Sequence, residues 1–360
     1  MTNREIAHYR LLNQRIAGGQ FSRPAEVVQW MGAMQAQDYQ QVLWAIGLRT
    51  NVTRRTDIEQ AIAERKIVLT WPMRGTLHFV PAENAKWMLK FLAPRQLAAD
   101  KLRLKQLELD AKILERCRQL FHHALQGGKR LSRTAMMQLL EAAQINPKGQ
   151  RGYHILWYVA QEGLVCHGPM QGKEQTFVLL DEWIPDARQL SREDALAELA
   201  QCYFASRGPA SINDFAGWAG LTLADARAGL ESARASLVSK QGTKEYWLTQ
   251  CAADHQMPDA LGVYLLPGFD EYLLGYKDRR DVLAGEHARK IVPGGNGVFL
   301  PTIVIDGQVV GTWKRAFRKN TVEVTLTPFM PLGISKTEIA VAVKRFGDFI
   351  DLPLSLKAPV

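Results

Sequence analysis

The chain has 360 residues, enough for two or three domains, and its 47% hydrophobic and 22% charged residues exclude a largely disordered protein. Forty-five Lys and Arg against thirty-six Asp and Glu leave a formal net charge of +9. That excess points to a polyanionic partner, nucleic acid or an anionic surface, or else to a solvated surface that is merely basic; charge alone favours neither.

In chain order, residues 4–17 have helical periodicity and are closed by Gly18-Gly19, and Pro24 opens a second helix over 25–34. A further helix over 57–65 leads into the β-rich run 67–80. Residues 112–126 form an amphipathic helix, Ser132 caps a helix over 133–144, and an aromatic-rich helix spans 149–162 and stops at Gly163. Two β-like runs follow, 164–167 and 176–180, joined by a Gly-containing turn. Three helices and a hairpin in that order describe a winged helix-turn-helix.

The order recurs downstream: a helix over 194–207 ended by Gly208-Pro209, Ser211 capping a helix over 212–218, a third helix over 222–234, and strands at 237–239 and 246–248. With the looser N-terminal copy, the sequence predicts an α+β chain of three tandem winged-helix units, 1–95, 96–188 and 189–258. The remainder, 259–360, differs. Runs at 263–269, 298–305, 309–313 and 322–326, the turn Asp306-Gly307, and a helix near 336–349 predict a small β-barrel or sheet closed by a terminal helix.

Four cysteines, Cys117, Cys166, Cys202 and Cys251, lie far apart with no Cys-x-x-Cys pair, so they read as reduced residues and not as a metal or redox site. The pair His122-His123 diverges on a helix and is not a ligand pair. The polar N-terminus is no secretory signal, and no apolar run has the length of a membrane span. A cytoplasmic protein is expected, without metal, cofactor or membrane contact.

Winged helices bind DNA by setting the third helix in the major groove, and a basic chain supplies phosphate neutralisation. Double-stranded DNA is therefore the expected partner. The segment Trp30-Met-Gly-Ala-Met-Gln35-Ala36-Gln37-Asp38-Tyr39 carries two amides two residues apart. On a helix they would point to nearly opposite sides; only an ended or unwound helix lets them share a face. Read alone, they are two solvent-exposed residues at a helix end.

This segment, with Leu43-Trp44-Ala45-Ile46-Gly47-Leu48-Arg49 after it, resembles the bacterial winged-helix DNA glycosylases of the AlkZ/YcaQ type. Three more blocks look the same: Thr70-Trp71-Pro72-Met73-Arg74-Gly75-Thr76-Leu77-His78-Phe79-Val80, the run 266–279 containing Phe269-Asp270-Glu271-Tyr272, and 301–307 continuing to Trp313. The likeness runs from about residue 10 to past 320. It implies tandem winged helices arranged as a C around a DNA channel, and monofunctional release of alkylated bases, including unhooking of some interstrand crosslinks. The family's catalytic motif is Gln-x-Gln in AlkZ-like members and Gln-x-Asp in YcaQ-like ones, so Gln35-Ala36-Gln37 implies the AlkZ-like branch, with Gln35 and Gln37 catalytic and Asp38 outside the motif.

An amide does not titrate near neutral pH, so Gln35 and Gln37 are not proton-accepting bases. They can hold a water and turn carbonyl dipoles toward the sugar. A cationic N7- or N3-alkylpurine needs no protonation to leave, so positioning and electrostatics suffice. Strand alternation puts Arg74, Thr76 and His78 on one face, which is expected to line the channel. Arg279, Lys314 and Arg315 are expected to bind phosphates, and Asp270 and Trp313 are candidates for the same surface or for structural roles. The competing reading is a non-catalytic winged-helix transcription regulator; the chain lacks the coiled-coil or ligand-domain signature that a dimeric regulator calls for, and a monomer is expected.

Overall fold

A computed structural model describes residues 1–51, 54–254, 258, 260–333 and 335–357. The expected boundary at 258–259 falls at a position outside the described residues. Helices and mainly antiparallel sheets alternate along the chain, so the α+β expectation stands. The chain forms two compact units, one from Met1–Ile58 with Leu196–Val360 and one from Glu59–Ala195.

The second unit is built on strands Ile67–Met73, Thr76–Pro81, Val165–Gln171, Glu174–Leu179 and the short Leu131–Ser132. Ile67–Met73 pairs antiparallel with Thr76–Pro81 on one side and, through Leu69 opposite His167, with Val165–Gln171 on the other. The two hairpins therefore share one sheet. The sequence reads 67–80 as a single β-rich run; the structure turns it at Arg74-Gly75, both with positive φ (54° and 67°). Two consecutive left-handed residues make the tight turn whose twist suits antiparallel strands, and glycine is the residue that takes this conformation without strain. Helices Ala111–Leu125, Arg133–Ala142 and Arg151–Gln161 lie within two residues of their expected spans at most ends, and Ser132 accepts from the Ala135 N–H as the expected N-cap. Helix Ala85–Ala99 was not legible: Pro94 lies inside it and its apolar residues form no clean stripe. It spans the expected boundary at 95–96.

Buried in this unit, His167 packs between Trp71 and Phe177, with ring centroids 4.9 and 4.6 Å away. Burial pushes its pKa down to about 3. The folded value lies below the unfolded one, about 6.5, so the unfolded chain binds more protons between the two. The stabilisation is complete above about pH 6.5 and declines by about 1.4 kcal/mol per pH unit as the pH falls toward 3. Urea unfolding at pH 7 and pH 5 is expected to differ by about 2 kcal/mol from this group, and His167→Phe is expected to remove that difference.

The first unit contains helices Asn3–Asn13, Pro24–Met31 and Tyr39–Gly47, then Ile212–Ala219 and Leu223–Ala233, and the hairpin Leu237–Gln241/Glu245–Thr249. Ser211 and Asp214 form a reciprocal capping box at the start of Ile212–Ala219, and Gly220 ends that helix in the left-handed conformation. The C-terminal strands form an open five-stranded sheet in the order Leu354–Lys357, Val322–Pro328, Gln308–Phe317, Thr302–Ile305, Val263–Leu266. The outer two strands do not pair with each other, so of the two expected forms, barrel or sheet, the structure has the open sheet. Strand Leu354–Lys357 runs parallel to Val322–Pro328, and helix Lys336–Ile350 is the crossover between them. That edge strand was missed because only four, largely exposed residues form it. Trp44 and Trp313 both meet Phe346 with ring centroids 5.1 Å apart, and their indole N–H groups donate to the Leu265 and Leu266 carbonyls (2.8 and 2.7 Å). These rings fix helix Tyr39–Gly47 and the terminal helix on the sheet.

Candidate active site

Pro24 opens the helix that leads to the paired amides, and Gly32, at φ 68°, closes it. A Cβ at Gly32 would come within 2.5 Å of the Cys202 sulfur, so both conformation and space call for glycine there. Met34–Gln35 is extended, and the next helix begins only at Tyr39, with Asp38 as N-cap accepting from the Gln40 and Gln41 N–H groups (3.0 and 3.2 Å). Gln35-Ala36-Gln37 thus lies in a non-helical link between two helices. Gln35 is half-buried, Ala36 buried and Gln37 exposed. This meets the condition that the sequence set for the two amides to act together. It also gives Asp38 a structural task, as a helix cap outside the motif.

A buried ion pair underlies this link. Arg207 and Glu271 are both almost fully shielded from solvent and meet at 2.7 Å. Arg207 donates to the carbonyls of Met31 and Ala33 (2.8 Å each), and one Glu271 oxygen accepts from the Gln35 backbone N–H at 3.1 Å. The other Glu271 oxygen accepts from the Trp218 indole at 3.1 Å. Neither residue was singled out from the sequence. Glu271 had a signal: it is a charge inside the apolar run Phe269-Asp-Glu-Tyr-Leu-Leu. Arg207, next to Gly208-Pro209, had none.

Asp270 is corrected from a DNA-surface candidate to an interior residue. It is 4% exposed, makes a two-pronged bond to the buried Arg49 (2.8 and 3.0 Å), and accepts from the Tyr272 N–H. Trp313 is likewise fully buried beneath the sheet and cannot meet DNA. Arg279 is half-buried, its Nε donating to the Leu273 carbonyl at 2.7 Å and its guanidinium lying over Phe299.

Arg315 is brought to the motif's neighbourhood. Its Nη1 donates to the Gln41 side-chain oxygen at 3.0 Å, and that oxygen also accepts from the Gly268 N–H. Burial lowers the Arg315 pKa, and the negative charge of Asp38 opposes that shift. Lys314, its neighbour on the strand, is exposed.

In the second unit, Arg74 sits in the hairpin turn and not on a strand face, because residues 74 and 75 reverse the chain. His78 is fully buried, which corrects its expected place on a channel wall. Its Nδ1 lies 2.8 Å from the Thr76 carbonyl and its Nε2 3.2 Å from Arg74 Nη2. A guanidinium only donates and a carbonyl only accepts, so the proton is on Nδ1 and Nε2 accepts. Thr76, half-buried, starts the second strand. Trp157 donates to the Gly75 carbonyl at 3.0 Å and fixes the turn. Among the described residues no group of His, Cys, Asp or Glu is arranged to hold a metal ion, and no helix is long and apolar enough to cross a membrane.

Two amides two residues apart in a non-helical link, on a basic α+β chain, are groups that hydrogen-bond without titrating near neutral pH. Over residues 28–349 the chain matches the family described as DNA glycosylase AlkZ-like, and it belongs to that family; it is a DNA glycosylase. A relative is the interstrand DNA cross-link repair glycosylase of Streptomyces sahachiroi, 26% identical over 347 residues that cover 91% of this chain and 90% of the relative. The solved structure of Streptomyces sahachiroi DNA glycosylase AlkZ has the same fold, with a TM-score of 0.81 at 22% identity, covering 99% of this chain and 100% of that one.

Proposed function

We propose that the protein is a monofunctional DNA glycosylase that hydrolyses the N-glycosidic bond of cationic N7- and N3-alkylpurines and unhooks interstrand crosslinks joined through such bases. The observation that carries this reading is that the Gln35-Ala36-Gln37 motif lies in a non-helical link, where the backbone no longer sends the two amides to opposite sides of a helix. Gln35 and Gln37 orient that water and turn carbonyl dipoles toward the developing positive charge on the sugar. The alkylated base departs as a neutral molecule and needs no acid. The name of the Streptomyces relative supports the crosslink part of the proposal.

The three helix–hairpin groups act in this reading as winged helices on duplex DNA, the protein works as a cytoplasmic monomer, and Arg74, Lys314 and Arg315 contact phosphates. Thr76 and His78 support the turn that carries Arg74, and Arg279 braces the segment between strands Val263–Leu266 and Thr302–Ile305. Lys314→Ala is expected to weaken binding to all duplex sequences alike and to lower the slope of log affinity against log salt by about 1. A filter-binding series between low and moderate salt checks it; an unchanged slope places Lys314 away from the DNA.

The deciding experiment incubates the protein with duplex DNA carrying N7-methylguanine, then heats it in alkali. Strand breaks are expected at the lesion after alkali and not before it, since a monofunctional enzyme leaves an intact abasic strand. Absence of breaks on methylated and crosslinked duplexes alike would sink the proposal.

A further inference from the structure

We propose that the buried Arg207–Glu271 pair is the positioning device of the Gln35-Ala36-Gln37 segment and sets the rate of base release without touching DNA. This rests on the water-orienting reading of the two amides given above.

The bonding is complete on both sides. Arg207 uses Nε and Nη2 on one Glu271 oxygen (3.1 and 2.7 Å), Nη1 on Met31 O and on the Ser206 hydroxyl (2.8 Å each), and Nη2 on Ala33 O (2.8 Å). These engage the five N–H donors of a guanidinium, whose planar fork fixes their directions. Glu271 accepts from Arg207, from Trp218 and from the Gln35 N–H. Residues 31, 33 and 35 are therefore tied to one rigid pair on the very stretch where the helix ends. A helix end leaves carbonyls without intrahelical partners, and a chain leaving it has many paths. Arg207 and Glu271 select one of them.

The pair has no net charge, so its effect at the sugar is one of placement. Placement is what two neutral amides contribute. A misplacement of about 1 Å in a positioning group lowers rates by about 100-fold. Gln35 is the tethered member, through its own N–H; Gln37 takes its position from the two-residue lever between that tether and the Asp38 cap. A second buried pair in the same unit, Arg10–Asp281 at 3.0 Å, supplies an internal control: Arg10 bonds Pro209 O and Asp281 bonds Tyr246, and neither bonds the segment 31–38.

The test compares the full-length wild type, Arg207→Met/Glu271→Met, Trp218→Phe and Asp281→Asn. The double substitution removes both charges together and so leaves no buried unpaired ion. Each protein is measured for thermal midpoint, affinity for an alkylated duplex, and single-turnover release of N7-methylguanine. For the double variant, release is expected to fall about 100-fold with affinity unchanged within about threefold. Trp218→Phe, which removes a single bond to Glu271, is expected to slow release about threefold, and this milder change keeps the proposal testable if the double variant does not fold. Asp281→Asn is expected to lower the thermal midpoint and leave release at the wild-type rate.

Wild-type release in a folded double variant overturns the proposal, and, where the double variant does not fold, wild-type release by Trp218→Phe overturns it. So does a loss of release in Asp281→Asn that follows its loss of stability, because the effect is then general and not positional. A wild-type protein inactive on every alkylated duplex overturns the substrate reading, and this proposal with it.

Discussion

Gln35→Ala/Gln37→Ala is expected to lose release of N7-methylguanine by about 100-fold or more while binding the same duplex as tightly as the wild type. The magnitude follows from what the amides do. Removing a preorganised polar group from a transition-state site typically lowers the rate by about 100- to 1000-fold, and two groups that share one water do not add independently. Affinity is spared because binding to the duplex rests on phosphate contacts by Lys and Arg.

The same chemistry fixes the pH behaviour. Neither amide titrates, and Asp38 is occupied as a helix cap. Single-turnover release is therefore expected to stay flat between about pH 6 and 9, where a His base, or a carboxylate raised toward about 7, would give a limb. Uracil and normal purines, whose leaving bases carry no positive charge, are expected to remain in the DNA. Release by the double variant at the wild-type rate would move the chemistry to other residues.

Asp270→Ala is expected to lower folding stability by about 3–5 kcal/mol. The carboxylate bonds both terminal nitrogens of Arg49, a side chain shielded from solvent, and Arg49 in turn holds the Gln14 side chain at 2.8 Å. Truncation leaves a guanidinium in the interior with no counter-ion, and it also removes the acceptor that caps the Glu271–Leu274 turn. Asp270→Asn keeps the cap acceptor and one bond to Arg49, so its loss is expected to be smaller. Arg49→Met/Asp270→Leu removes both charges and is expected to recover most of the stability, because an apolar pair of similar volume avoids the desolvation penalty. Urea midpoints of the four proteins check the order. A harmless Asp270→Ala would mean that the Arg49 charge reaches water.

Helix order and capping were legible along the chain because they are local. Ser132, Ser211 and Thr222 each begin a helix with a hydroxyl that accepts from a backbone N–H three residues on, and that grammar is written in consecutive residues. The Arg74-Gly75 turn was not read, because a left-handed arginine inside a β-rich run has no strong local mark; it follows from the pairing of Thr70 with His78 and Met73 with Thr76. The helix through Pro94 and the edge strand Leu354–Lys357 were missed for related reasons. One contains a residue that usually breaks helices, and the other is too short to show a period.

For the site, the sequence by itself showed two amides two residues apart just past a helix opened by Pro24, and the basic charge; it carried that helix on to residue 34, whereas Gly32 ends it. Those signals depend on residue identity or on the nearest few neighbours. Only the tertiary structure decided what holds the amides and which charged residues face solvent. Asp270 and Glu271 are adjacent in sequence, yet one pairs with Arg49 and the other with Arg207, 221 and 64 residues away. Burial of a charge depends on whether a distant partner arrives to satisfy it, and that is a property of the folded chain.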